Sequence, residues 1–222
     1  MPTLQARLKS QDEILTRISS SITTHETRKL VNRSGKRVRG AFPSLKAGLK
    51  INKYESLHEL HVLQTLEVAP NVSKVESQPF NLKFHVNGSW ITYTPDALVH
   101  LNCIPWMLIL EAKGDIYLHK RHQIQRFRAI DQFLQVNKIP FAMVLSSDID
   151  ESMVKKVEGA IHQREIPSGT LRKRLRPDFD SSQVRYPEAL ESFCDELLFK
   201  ITNRDISEVI ELAGICADEV HK

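Results

Sequence analysis

Cysteine is scarce in this chain. Among 222 residues there are only Cys103, Cys194 and Cys216, odd in number, scattered, and in no CxxC spacing. That argues against a disulfide framework and against a structural zinc site built on thiolates. Long apolar runs are also missing. The longest, Ile104 to Leu110, contains a proline and is far too short to span a bilayer. The opening Met-Pro-Thr-Leu-Gln-Ala-Arg lacks the apolar centre of a secretory signal, so a cytoplasmic protein is expected. Internal repeats and low-complexity tracts are absent as well. What remains, 41% hydrophobic and 26% charged, is the composition of a soluble globular protein. The length suffices for one good core with a smaller appendage, or for two small domains.

Charge of one sign is missing locally. Arg28 to Lys50 holds eight basic residues (Arg28, Lys29, Arg33, Lys36, Arg37, Arg39, Lys46, Lys50) and no acid, while Pro187 to Lys222 holds nine acids against three bases. A basic arm suits a polyanion such as DNA, and an acidic stretch suits a protein partner.

Leu4, Leu8, Leu15 and Ile18 recur at roughly helical spacing, which predicts an N-terminal amphipathic helix within residues 1–27. Gly35, Gly40, Pro43 and Gly48 interrupt the basic segment, so residues 28–50 are read as an ordered loop or arm with no regular element. A helix is predicted over Tyr54–Val68 and a short strand over Val72–Gln78. Phe80, Leu82, Phe84 and Val86 alternate with polar residues, and Asn87-Gly88 signals a tight hairpin returning over Trp90–Leu101. Trp106–Lys113 is an apolar run ending in charge, as in a central strand buried on both faces. A long helix over Tyr117–Val136, a strand over Phe141–Leu145 and a helix over Glu151–Arg164 complete an order of helix, four strands, helix, strand, helix. Residues 167–187 read as a basic, proline-bearing linker. Two acidic helices, Glu188–Lys200 and Asp205–Lys222, form a tail, with a break expected near Gly214.

Four side chains on this framework form a chemical kit. Glu59 is aligned with Val62, Leu63 and Leu66 at i+3, i+4 and i+7, and a carboxylate facing a core needs a cation or donors. Glu55 lies on the same face and is a rival. Asp96 follows Thr94-Pro95, where the missing amide donor marks an edge or bulge that can aim a side chain. Glu111 and Lys113 are two apart on a strand and share a face. Each alone has an ordinary reading: a boundary Glu, an Asp in a turn, a strand leaving the core. Together, two or three carboxylates and an ammonium suit Mg²⁺, which takes oxygen ligands and keeps waters, and the hydrolysis of a phosphodiester. The following helix carries His119, Lys120, Arg121, His122, Gln123, Arg126 and Arg128. The two histidines at i and i+3 could bind a metal, but phosphate contact by a basic face is the simpler reading.

The Glu, Asp, Glu-x-Lys series on helix, strand and strand resembles the active-site signature of the PD-(D/E)XK nucleases, with Pro95-Asp96 and Glu111-Ala112-Lys113 as its motifs. Four stretches are more specific. They are Arg37-Val38-Arg39-Gly40-Ala41-Phe42-Pro43-Ser44, Tyr54-Glu55-Ser56-Leu57-His58-Glu59, Val72-Ser73-Lys74-Val75-Glu76-Ser77-Gln78-Pro79 and Tyr93-Thr94-Pro95-Asp96. In that order they resemble the TnsA endonuclease subunit of heteromeric cut-and-paste transposases, from about Arg28 to Ser146. The resemblance implies an α/β, restriction-endonuclease-like mixed sheet flanked by helices over residues 28–166; residues 188–222, whose acidity disfavours DNA contact, are read as a small helical region that docks protein. It implies 5′-strand cleavage at transposon ends in the bacterial cytoplasm. Asp96, Glu111 and Glu59 would be Mg²⁺ ligands (Mn²⁺ able to substitute), Lys113 the catalytic lysine and Gln78 a structural or site-edge residue. Arg28, Lys29, Arg33, Lys36, Arg37, Arg39, Lys120 and Arg121 would contact DNA. The partners implied are double-stranded DNA, a TnsB-like DDE transposase and a TnsC-like AAA+ ATPase. The family's better known member has Gln where Glu111 stands, so this chain departs toward the common nuclease pattern. Two other readings stay open: a free-standing restriction or repair nuclease, and a catalytically silent DNA-binding assembly module of the same fold.

Overall fold

The computed structural model describes residues 13, 15–24, 38–47, 51–102, 107–118, 120–163 and 184–219. Residues 15–18 are helical and run into a 3₁₀ turn at Ser19–Ser21 and strand β1 (Ile22–Thr24). The rest of the expected N-terminal helix lies outside the described residues.

The arm is more regular near its end than its glycines and proline suggest. Strand β2 (Gly40–Phe42) pairs antiparallel with β3 (Asn52–Tyr54), placing Gly40 opposite Tyr54. A Cβ at Gly40 would overlap the Tyr54 hydroxyl, so here the glycine serves close approach within a strand. The loop after β2 is held by Glu67, which is 1% exposed. Its carboxylate accepts from Ser44 Oγ at 2.6 Å and Leu45 N at 3.0 Å. Lys46 Nζ donates to the carbonyls of Leu66 at 3.1 Å and Ala69 at 2.5 Å, placing a cation at the negative end of helix α1 (Leu57–Val68). Burial pushes the Lys46 ammonium down to about 8, with Glu67 opposing.

The central sheet has the order β4 (Val72–Ser77), β7 (Ala97–Leu101), β8 (Met107–Lys113), β9 (Phe141–Leu145). The first two pairings are antiparallel and β8–β9 is parallel, so the sheet is mixed. Side chains of β8 alternate between two cores. Leu108 and Leu110 join Val62, Leu63 and Leu66 of α1, Val157 and Ile161 of α4 (Glu151–Gln163), and Cys194 and Leu198 of α5 (Glu188–Thr202). Met107 and Ile109 join Ile124, Phe127 and Ile130 of α3 (Arg121–Val136) and Ile206 and Ile210 of α6 (Ile206–Glu219). Each such aliphatic side chain, buried in full, contributes about 1.5–3 kcal/mol relative to exposure. The architecture is a mixed sheet flanked by helices on both faces.

Between β4 and β7 the chain makes an excursion. Strands β5 (Asn81–Val86) and β6 (Ser89–Tyr93) form the expected hairpin, and β1 adds to β5 to make a second, three-stranded sheet. Asn87 and Gly88 both have positive φ, 51° and 79°, as a two-residue hairpin turn requires. Phe84 stacks on Phe133 of α3 with ring centroids 4.0 Å apart, tying the hairpin to the core.

Several boundaries differ from expectation. The strand predicted over Trp90–Leu101 is two strands, β6 and β7, broken at Thr94-Pro95-Asp96 because proline lacks the amide a ladder needs. The helix predicted from Tyr117 is a short α2 (Asp115–Leu118) followed by α3, with Lys120 extended between them. Helix α6 runs through Gly214 without a break. Residues 188–213, read as an appended tail, contribute to both cores. Their junction is clamped by Arg204, which pairs through both guanidinium nitrogens with Asp148, while Lys200 Nζ lies 3.1 Å from Asp148. Most of the 167–187 linker lies outside the described residues. Among the described residues no helix is long and apolar enough to cross a membrane.

Candidate active site

Strand register brings the two motif carboxylates together. Ala97 pairs with Leu110 across β7–β8, so one step further Asp96 stands opposite Glu111. Directly opposed antiparallel residues share a face, with Cβ atoms roughly 4.5–5.5 Å apart. Ala112 N donates to Asp96 Oδ2 at 2.8 Å, which fixes the aspartate against the neighbouring strand. Pro95 ends the ladder just before it, so the Asp96 side chain accepts an amide that the broken ladder leaves over.

Glu111 is 7% exposed. The Tyr93 hydroxyl donates to its Oε2 at 3.1 Å, and Lys113 Nζ lies 3.7 Å from its Oε1. Lys113 points to the same side of β8, its ammonium 5.1 Å from the centre of the Phe127 ring. A cation over an aromatic face in a half-buried setting is attracted to the ring and held in place.

The electrostatics are those of like charges out of water. Burial pushes Glu111 up to about 7, with Glu59 adding to it and Lys113, Tyr93 and Arg126 opposing. Burial also raises Asp96 well above the usual carboxylate range, reinforced by Glu111 and then Glu59, and countered by the Ala112 amide and Lys113. Burial and the Glu111 and Asp96 charges raise the Tyr93 phenol, which therefore stays a donor.

Glu59 is near enough for its charge to be felt at both carboxylates, yet its own oxygens are engaged elsewhere. Oε2 accepts from Glu55 N at 2.7 Å and Oε1 from Ser56 Oγ at 3.0 Å, while Ser56 Oγ accepts from Glu59 N at 3.1 Å. This is a variant of the capping box that starts α1. The rival Glu55 contributes its backbone amide to that box. Among the described residues, no three His, Cys, Asp or Glu side chains gather into a ligand set. The structure thus brings Asp96, Glu111 and Lys113 together directly and leaves Glu59 at the rim.

Gln78 is opposite Asp96 on the other side, its amide donating to Asp96 O at 3.0 Å. Its backbone has φ of 45°, unusual for a residue with a side chain. The side chain is buried, and its Oε1 has no hydrogen-bond partner among the described residues.

Of the expected DNA contacts, Arg39, Lys120 and Arg121 are exposed. Arg28, Lys29, Arg33, Lys36 and Arg37 lie outside the described residues, as does His119. Tyr93 and the Ala112 amide had no role assigned from sequence. The signal for Tyr93 was its place in Tyr93-Thr94-Pro95-Asp96, one strand end from the aspartate. The Ala112 amide carries no sequence signal.

Does this donor set fit a divalent cation? Asp96 and Glu111 are hard oxygen donors, side by side, buried and short of compensating charge. Those are features that Mg²⁺, with waters completing its shell, would satisfy. The chain matches no protein-family model and no curated protein.

Proposed function

We propose that this chain is a Mg²⁺-dependent endodeoxyribonuclease of the PD-(D/E)XK type, acting as the TnsA-like subunit that cuts the 5′ strands at transposon ends. The observation that carries this reading is the juxtaposition of Asp96 and Glu111 across β7–β8 with Lys113 two residues on, facing the same side. The order of the central sheet supports it. With the β5–β6 hairpin set aside as an excursion, α1, β4, β7, β8, α3 and β9 follow the helix, three strands, helix, strand order of the nuclease reading.

Asp96 and Glu111 would hold the metal, with Glu59 able to join them only by leaving its cap. When bound, the ion supplies a water of lowered pKa and charge for the phosphate oxygens. The chain's own residues do the rest. The Ala112 amide and the Tyr93 hydroxyl orient the two carboxylates. Lys113 stabilises negative charge developing on the phosphorus oxygens, or positions the water. The buried walls keep these charges from being screened. Exposed Arg39, Lys120 and Arg121 contact the DNA backbone, and the products are a 5′-phosphate and a 3′-hydroxyl. The partners are a TnsB-like transposase and a TnsC-like ATPase, and the acidic outer faces of α5 and α6 are the surface offered to protein.

The engagement of both Glu59 oxygens in the α1 cap favours a second reading, a silent DNA-binding assembly module. A strand-resolved cleavage assay separates the two. A plasmid carrying the element's ends is incubated with this protein, Mg²⁺ and the two partners, with wild type and Asp96→Ala side by side. Partner-dependent nicks on the 5′ strands that vanish in the variant are expected. Partner-independent cutting would indicate a free-standing nuclease. Binding with no cutting by wild type would indicate the assembly module.

A further inference from the structure

The outer face of the β5–β6 hairpin is built unlike its inner face. Leu82, Phe84 and Tyr93 point into the core, while Lys83, His85, Trp90 and Thr92 point out. Trp90 is 67% exposed. It is held, not loose: Lys83 Nζ lies 5.2 Å from its ring centre, and the His85 ring meets it edge-on at 5.4 Å and 64°. The His85–Trp90 cross-strand pair accounts for that contact, but it leaves most of the indole in water.

The β6 strand of this hairpin reaches the candidate active site through Tyr93 and Arg126. Arg126 of α3 donates from Nη2 to the Thr92 carbonyl at 3.0 Å, and its charge is felt at Glu111 and Tyr93. The two stretches that form the hairpin and the first part of α3 carry charge of one sign. No acidic residue occurs between Glu76 and Asp96, or between Asp115 and Asp131, whereas those two stretches contribute Lys83, Lys120, Arg121, Arg126 and Arg128.

We propose that this hairpin face is a DNA-binding element. Lys83 and Arg126 hold phosphates flanking the one presented to Asp96 and Glu111, and Trp90 stacks on a neighbouring nucleobase that the bound DNA exposes. A basic surface that tracks the backbone, with an aromatic side chain offered to bases, is the usual composition of such a site. The inference rests on the nuclease reading for its substrate, but its test does not depend on cleavage.

The test uses the full chain without added metal, so that binding is measured apart from chemistry. Fluorescein-labelled duplex that carries the element end and a single-stranded overhang, whose bases are exposed, is titrated by anisotropy. Tryptophan emission is followed in parallel in wild type and Trp90→Phe, whose difference isolates Trp90 from Trp106. Duplex should quench the Trp90 component. Trp90→Ala should weaken binding roughly tenfold, and Trp90→Phe should restore most of it. Lys83→Ala should lower the slope of log affinity against log salt by about 0.9, one phosphate's worth.

Unchanged emission together with wild-type affinity in Trp90→Ala and Lys83→Ala would overturn the proposal. So would quenching of Trp90 by a protein partner but not by DNA. The two readings fail separately. Asp96-dependent cleavage with unaffected hairpin variants removes only the hairpin assignment. Hairpin-dependent binding without Asp96-dependent cleavage removes only the nuclease. A chain that binds no DNA removes both.

Discussion

Replacing Asp96 by Asn should make the metal-free protein more stable while abolishing cleavage. Two carboxylates on opposed strand positions, one of them 7% exposed, repel each other without a cation between them. At roughly 5 Å and an effective dielectric constant of about 20, that repulsion is on the order of 3 kcal/mol when both are ionised. Asp96 itself is raised well above the usual carboxylate range by burial, then by Glu111 and Glu59, so losing its charge relieves all three. Asn retains the acceptor for the Ala112 amide, so the hydrogen bond at 2.8 Å survives and only the charge is lost. A gain of about 1–3 kcal/mol follows, or roughly 2–10 °C in melting temperature for a chain of this size.

The sign with pH is definite. A carboxyl raised on folding contributes its stability below its unfolded value, and loses it as pH rises through its folded value. The wild type should therefore weaken as pH rises from 4.5 through about 7 for Glu111 and through the raised value of Asp96, and the advantage of Asp96→Asn should be small at pH 4.5 and larger at pH 8. Mg²⁺ should reverse the order at pH 8, because a ligand at a hundred times its Kd stabilises by about 2.7 kcal/mol and only the wild type keeps the site. Differential scanning fluorimetry of both proteins, with chelator and with Mg²⁺, reads all of this. A variant less stable than wild type at pH 8 in chelator, or an equal response of both to Mg²⁺, would refute the reasoning.

If Lys113 serves the proposed cleavage, Lys113→Ala should slow single-turnover cleavage by about 10²–10³ while leaving DNA affinity within twofold, because an ammonium acting on developing phosphate charge works mainly on the transition state. Ser56→Ala removes the acceptor for Glu59 N at 3.1 Å and should cost about 1 kcal/mol by urea unfolding. Asp148→Ala strips Arg204 and Lys200 of their shared partner and should cost about 2 kcal/mol, discounted for partial solvent screening. At Asp148, burial pushes the carboxyl up, but Arg204, the Leu145 amide and Lys200 outweigh it and hold it below the usual range. The wild type's advantage over Asp148→Ala should therefore be complete at neutral pH and fade as pH falls through that lowered value, in urea titrations run from pH 7 to pH 3.

Features encoded in local pattern were readable from sequence. Asn87-Gly88 specifies its hairpin because both positions need positive φ, and Met107–Leu110 specifies a strand buried on both faces. Asp96, Glu111 and Lys113 were legible because proline ends β6 and the period of two puts Glu111 and Lys113 on one face. What stayed hidden depends on long-range pairing. The two residues of β2 and β3 that meet as Gly40 and Tyr54 are 14 positions apart, with a loop carrying Pro43 and Gly48 between them. The C-terminal helices looked like a tail because their acidic faces dominate the composition, while Leu190, Cys194, Leu198, Ile206 and Ile210 carry them into the two cores.

Glu59 is where the two levels of reading meet. Its helical spacing from Val62, Leu63 and Leu66 made it a candidate ligand, whereas the Ser56-x-x-Glu59 spacing is equally that of a capping box. The structure satisfies the second pattern and leaves the carboxylate close enough to raise both Asp96 and Glu111. A side chain that caps its helix in the absence of metal, and is repelled by the pair it faces, gains an attractive partner once a cation stands between them. The Ser56→Ala protein lacks two of the three hydrogen bonds of that box, including one of the two that hold the Glu59 carboxylate back. It should therefore lose stability in chelator and recover more of it with Mg²⁺ than the wild type gains, a coupling absent if Glu59 serves the cap alone.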